Sequence, residues 1–187
     1  MGTNQTSQEK KLIKALQGAH EESEKAFTEI YQYYAHQVYS FILRMTGNVA
    51  VSQDLLQETF MKFYAATRQD LIVANVRGFL FMIARNVSLN WRRDEHPTVS
   101  IEDMLLELES HHHVIEQDEL LHLINHSLDL LELEYREAFI LKYYQGYSYD
   151  EMSQLTGDTI PTLRNRVWRA KEKIQNSLRP YILELQS

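Results

Sequence analysis

Between Thr159 and Pro180 six basic residues stand against Glu172 alone, and the polar side chains gather on one side of a helical repeat. Leu163, Val167, Ala170 and Ile174 recur at three- and four-residue steps and predict a buried stripe. The opposite side offers Thr162, Asn165, Arg166, Arg169 and Lys173, with Arg164 flanking. A helix of this kind suits a DNA groove, where its first turns meet base edges and its later cations hold phosphates. That assigns Thr162, Asn165 and Arg166 to bases, and Arg164, Arg169 and Lys173 to the backbone. The plainer alternative is an amphipathic C-terminal helix with a basic surface.

The residues before this helix have the punctuation needed to aim it. Tyr135 to Tyr144 is apolar-periodic and Gly146 stops it. Ser148 is placed to cap a short helix through Leu155, with Asp150 and Glu151 in the first turn, where negative charge suits the helix dipole. Gly157 then supplies a tight turn, Thr159 a second cap, and Pro161 a first-turn position where a missing N–H costs little. Two helices joined this way form a helix-turn-helix.

The rest of the chain is also read as helical. Its 187 residues include only six Gly and three Pro, and no β-branched alternating run of strand length stands out. Phe27, Ile30, Tyr31, Tyr34, Val38, Phe41, Ile42 and Met45 predict one long amphipathic helix, capped at Ser23 and stopped at Gly47-Asn48. A second helix is expected from about Val51 through Phe63 and a third from Phe79 to about Trp91, with a loop from Arg68 to Val76 between them. After Pro97, a capping box at Ser100 and Asp103 predicts a short helix carrying Met104 and Leu105. His111, His112 and His113 interrupt it, and helical spacing resumes near Val114, with Leu121, Ile124, Leu128 and Leu131 on one face.

Charge is segregated along this path. The formal total is -7, from 26 acidic and 19 basic residues. Yet Asp94 to Tyr135 contains twelve acids and no Lys or Arg, leaving +5 for the remainder. An acidic connector between jointly basic parts fits two modules that touch a polyanion around a segment that does not. The absence of Cys excludes disulfides, thiol nucleophiles and Cys-based metal sites. His122, His126, Glu119 and the triple His are a zinc constellation in outline, but solvated histidines on an acidic helix explain them, so no metal and no cofactor are expected. No nucleotide-binding loop or nucleophile elbow points to an enzyme. The polar start, Met1 to Leu16, and the lack of a bilayer-length apolar run predict a soluble cytoplasmic protein.

Leu128-Asp-Leu-Leu-Glu-Leu-Glu-Tyr-Arg-Glu-Ala-Phe-Ile-Leu-Lys-Tyr143, Gly146-Tyr-Ser-Tyr-Asp-Glu-Met152 and the run from Pro161 to Lys171 resemble region 4 of bacterial extracytoplasmic-function sigma factors. Asp54-Leu-Leu-Gln-Glu-Thr-Phe60, Phe79-Leu-Phe-Met-Ile-Ala-Arg-Asn86 and Trp91-Arg-Arg93 resemble region 2 of the same family. The resemblance implies an all-α chain: an N-terminal helical extension at 1–22, region 2 at 23–95, an acidic linker at 96–118 and region 4 at 119–187. It implies core RNA polymerase as a partner, through the clamp helices of the largest subunit and the flap, together with promoter DNA. An anti-sigma factor is a further candidate. Asp54, Gln57 and Glu58 would meet the clamp helices. Arg85, Asn86, Asn90, Arg92 and Arg93 would supply the polar side of a strand-opening surface, Phe79, Phe81 and Trp91 its aromatics, and the Arg68 to Val76 loop would capture a flipped base. The acidic linker would run toward the RNA exit path.

Four positions depart from the family pattern: Asn90 replaces a usual Asp, Phe79 a common Trp, Glu132 a Pro and Pro161 a Gly. The main alternative to an initiation factor is a self-sufficient helix-turn-helix regulator, which would dimerise on palindromic sites. A second is an interaction protein whose basic helix is incidental.

Overall fold

The structure, a computed structural model, describes residues 2–68, 75–94, 124 and 126–184. The linker helix expected at Met104, the triple His, Glu119, His122 and most of the loop expected for base capture lie outside the described residues. The described elements are α1 (Gly2–Leu16), α2 (His20–Thr46), α3 (Val49–Thr67), α4 (Val76–Asp94), α5 (Leu133–Phe139), α6 (Tyr149–Thr156) and α7 (Ile160–Glu184). A helical turn at 126–129 precedes α5. Every regular element among the described residues is a helix, as expected of an all-α chain.

The long amphipathic helix is α2, and its stripe of Ala26, Ile30, Tyr34, Val38, Phe41, Ile42 and Met45 is buried. It begins before Ser23, which is therefore not its cap. Ser23 instead lies inside, its hydroxyl donating to the Leu16 carbonyl at 2.9 Å and meeting the Tyr64 hydroxyl at 3.1 Å. That small hydroxyl ties the end of α1 to α2 and α3, a long-range use that local spacing does not display. Gly47 ends α2 at φ 72°, its N–H donating to the Leu43 carbonyl at 2.8 Å. Asn48 then starts α3 by accepting from the Val51 N–H at 3.0 Å.

Helix α3 buries Leu55, Phe60 and Phe63, and α4 buries Leu80, Phe81, Ile83, Ala84 and Val87. With Ile13 and Leu16 of α1 they close a four-helix core. That core does not stop at the first module, because Ala138, Ile140, Leu141, Tyr147, Met152, Leu163 and Val167 belong to the same buried cluster. A smaller cluster joins Leu128 and Leu131 to Ala170, Ile174 and Leu178 of α7. The aromatic bridge is Phe81, whose ring centroid lies 5.4 Å from Phe41 and 5.7 Å from Tyr147.

The approach to the helix-turn-helix contains one irregularity. Helix α5 continues as a π-helical turn over Ile140–Tyr144, closed by the Gln145 N–H on the Ile140 carbonyl at 3.0 Å. Ser148 then forms a full capping box. Its hydroxyl accepts from the Glu151 N–H at 3.2 Å, and its own N–H donates to the Glu151 carboxylate at 2.7 Å. Those bonds, led by the backbone N–H, hold the Glu151 carboxyl below the usual range. Gly157 follows at φ 80°, and α7 carries Pro161 in its first turn.

Two outcomes follow for stability. Phe81→Ala empties a fully buried site and is expected to destabilise the chain by about 3–5 kcal/mol in urea unfolding. Because the folded-state pKa of Glu151 is depressed, the stability it contributes is present near neutral pH and is lost as pH falls through the carboxylate range. Glu151→Ala should therefore melt below the parent at neutral pH, and the gap should close on acidification.

Candidate nucleic-acid interface

Helix α7 buries Leu163, Val167, Ala170, Ile174 and Leu178 and turns its polar side outward. Thr162, Arg164, Asn165, Arg169 and Lys173 are exposed. The Arg164 guanidinium lies 5.4 Å over the Tyr149 ring, which steadies it without neutralising it. Lys173 instead reaches Glu132 at 2.5 Å and sits 4.9 Å over Tyr135, while Arg169 meets Glu172 at 3.3 Å. Glu132 is held below the usual carboxylate range, first by its hydrogen bond from Lys173.

Arg166 stands apart from the rest of the expected set. Its side chain is only 20% exposed and is clamped by Asp158 at 2.5 Å and Glu134 at 3.2 Å. A base-reading role requires it to leave these acids. Beside it, Glu134, Tyr135, Pro161, Thr162 and Asn165 line a shallow concavity at the mouth of the turn. Trp168, 55% exposed, shares the outer face and stacks under Arg169 at 4.9 Å. Sequence reasoning missed it. The signal was present, since Trp168 falls outside the buried stripe defined by Leu163, Val167 and Ala170.

The expected region 2 residues divide between two faces of α4. Asn86, Asn90 and Arg93 are exposed, and with Met82 they occupy steps of four, four and three on one side. Arg85 points to the second module, whereas Arg92 is turned to the end of α2. Arg85 donates through both Nε and Nη2 to Glu137 of α5, whose side chain is 5% exposed. Burial pushes the Glu137 carboxyl up, against the opposing pull of Arg85. Arg92 Nε donates to the Met45 carbonyl at 3.0 Å, and burial lowers its pKa.

The three aromatic candidates are not equivalent. Phe81 is in the core, Phe79 packs 5.9 Å from Phe63 and is half-buried, and Trp91 packs against the same core. Phe81 therefore presents no open face on which a base could stack. On α3, Asp54, Gln57 and Glu58 share one side with Met61, which is 63% exposed; Glu58 pairs with Lys62 at 2.7 Å. No group of three or more His, Cys, Asp or Glu among the described residues is arranged to hold a metal.

These two modules have recognisable counterparts. Residues 30–98 match the family Sigma-70 region 2, and residues 121–174 match Sigma-70, region 4. The ECF RNA polymerase sigma factor SigM of Bacillus subtilis is 31% identical over 153 residues, covering 79% of this chain and 91% of the relative. The RNA polymerase sigma-H factor of Pseudomonas aeruginosa is 26% identical over 196 residues, covering 95% and 97%. Among solved structures, the sigma factor RpoE in complex with the anti-sigma factor NepR, from Bartonella quintana, shares the fold at TM-score 0.63 and 23% identity, covering 83% of this chain and 98% of that one. CnrH in complex with the cytosolic domain of CnrY does so at TM-score 0.66 and 19% identity, covering 90% and 95%. The fold and both modules are thus those of bacterial transcription initiation factors. Within that class, the chain belongs to the extracytoplasmic-function RNA polymerase sigma factors.

If Arg164 holds a phosphate, Arg164→Ala should weaken promoter binding evenly across sequences. It should also reduce the slope of log affinity against log salt by about 0.9, measured by filter binding with the polymerase holoenzyme.

Proposed function

We propose that this sigma factor docks on the clamp helices of the largest polymerase subunit through the α3 face and delivers polymerase to a two-part promoter. The observation that carries this reading is the row on one side of α3 formed by exposed Asp54, Gln57 and Met61 with half-buried Glu58 between them. Carboxylates around one apolar anchor suit a basic helical partner, with charge fixing orientation and the methionine supplying contact area. Region 4 binds the upstream promoter element through α7 and meets the polymerase flap. Thr162 and Asn165 face base edges; Arg164 and Arg169 hold the backbone, with Trp168 beside them.

Region 2 binds and opens the downstream element. Asn86, Asn90 and Arg93 form its polar side and Trp91 is the aromatic best placed for an unstacked base, while Arg85, Arg92 and Arg166 join only after leaving their present partners. The working division is 1–22, 23–95, 96–118 and 119–187, with α1 bracing region 2. No described helix is long and apolar enough to cross a membrane. The site of action in this reading is the cytoplasm, with polymerase. An anti-sigma factor is a proposed further partner.

Run-off transcription with core polymerase on a genomic promoter library tests the whole reading. The expected result is a set of transcripts sharing one two-part upstream sequence. Failure to bind core or to start such transcripts overturns it and favours a dimeric stand-alone regulator. Asp54→Lys places a cation where the basic partner docks and is expected to weaken core binding by about tenfold, or ~1.4 kcal/mol, in a competition assay.

A further inference from the structure

Of the six methionines, Met1 and Met104 lie outside the described residues, and the other four divide by exposure. Met45 and Met152 are sealed in the core at 0%, whereas Met61 on α3 is 63% exposed and Met82 on α4 is 39% exposed. No large apolar side chain among the described residues is more open than Met61. It stands one turn after Gln57 and Glu58 in the row that begins at Asp54, so its thioether is offered to the same partner as those polar groups. A thioether is unbranched, polarisable and apolar, which suits a contact surface. Oxygen transfer converts it to a polar, chiral sulfoxide that enzymes can reduce again. With no Cys in the chain, no thiol competes for the oxidant. We propose that Met61 is a reversible oxidation site at which a peroxide detaches this factor from polymerase. This inference rests on the reading of the α3 face as the polymerase dock.

In the chemical step a lone pair of the Met61 sulfur attacks one oxygen of hydrogen peroxide. The S–O bond forms as the O–O bond breaks, and the departing hydroxide takes up the proton released from the transferred oxygen and leaves as water. The sulfur loses two electrons and the peroxide gains them. In the free chain the new S–O dipole stays in water, so the fold bears little of its cost. On docking, the same dipole is desolvated where an apolar contact stood, and an unmet polar group at an interface opposes binding. Two of its row-mates, Asp54 and Glu58, only accept hydrogen bonds, as a sulfoxide oxygen does, and so cannot satisfy it. Met82 shares its side of α4 with Asn86, Asn90 and Arg93, which places its oxidation on the DNA face rather than on the polymerase face. Binding to core polymerase in the absence of DNA therefore isolates Met61.

The full chain is treated with hydrogen peroxide, the excess is removed with catalase, and peptide mass spectrometry locates the added oxygen. Met61 is expected to oxidise ahead of Met82, with Met45 and Met152 slower by about tenfold or more. Affinity for core polymerase, measured by competition without DNA, should fall by about fivefold or more, the size of loss that marks a contributing interface residue. It should return after treatment with the two methionine sulfoxide reductases, one for each sulfoxide epimer. Met61→Leu, compared with itself before and after peroxide, should lose no affinity, and Met61→Gln should bind core more weakly than the parent without any peroxide. Oxidation of Met45 or Met152 ahead of Met61 overturns the proposal, as does unchanged core binding by a parent oxidised at Met61. An equal fall in Met61→Leu, or a fall accompanied by loss of helical circular dichroism, also overturns it. If Met61→Leu does not fold, the parent decides: a loss that persists after reductase treatment overturns the proposal. Failure of the untreated parent to bind core overturns the docking reading and this inference with it, whereas oxidation without loss of binding overturns this inference alone.

Discussion

The carbonyl of Met45, near the C-terminal end of α2, is the point on which the two modules are hung. Arg92 of α4 donates to it at 3.0 Å and Arg136 of α5 reaches it at 3.4 Å. The negative end of a helix dipole favours such cations. Arg136 is 1% exposed, so its acceptors must come from within the protein, and both terminal nitrogens find them while Nε has none among the described residues. It also bonds the Asp129 carbonyl and, at 3.0 Å, the Asp129 carboxylate. Burial, with Arg92 nearby, lowers its pKa to about 10, which leaves it cationic near neutrality. One buried guanidinium thus ties the end of α2, which Gly47 stops, to the turn before α5 and to α5 itself.

From that point the acids and bases of the chain interleave rather than repel. Among the described residues of the stretch that carries twelve acids without a base, Asp129 pairs with Arg136, Glu132 with Lys173 and Glu134 with Arg166, and just beyond it Glu137 pairs with Arg85. Glu132, which stands where the family usually has Pro, gains an ion pair with the recognition helix in exchange for backbone rigidity.

Most helices were legible because helical burial leaves a three- and four-residue trace. The α2 stripe, the Ser148 cap, the Gly157 turn and the buried side of α7 could be read directly. What escaped was decided by long-range partners. Ser23 looks like a cap until Leu16 and Tyr64 are brought to it. Arg85 and Asn86 look alike in a polar run, but one faces the other module and one faces outward. Phe81 has the composition of a stacking residue and the position of a core residue. Arg166 carries the charge of a base reader, and only the fold reveals the two acids that hold it.

The π-helical turn at Ile140–Tyr144 has a consequence for how such proteins can be altered. An α-helix advances about 100° per residue, so the extra residue of a π-turn rotates everything downstream by roughly that amount relative to a regular helix. The recognition helix owes its heading to this single inserted step. A one-residue deletion here would leave every side chain of α6 and α7 chemically intact while pointing them in another direction. Grafts of this reading head onto a different region 2 must therefore carry the stretch from Leu133 onward as one unit, because the splice point sets the azimuth as well as the chemistry.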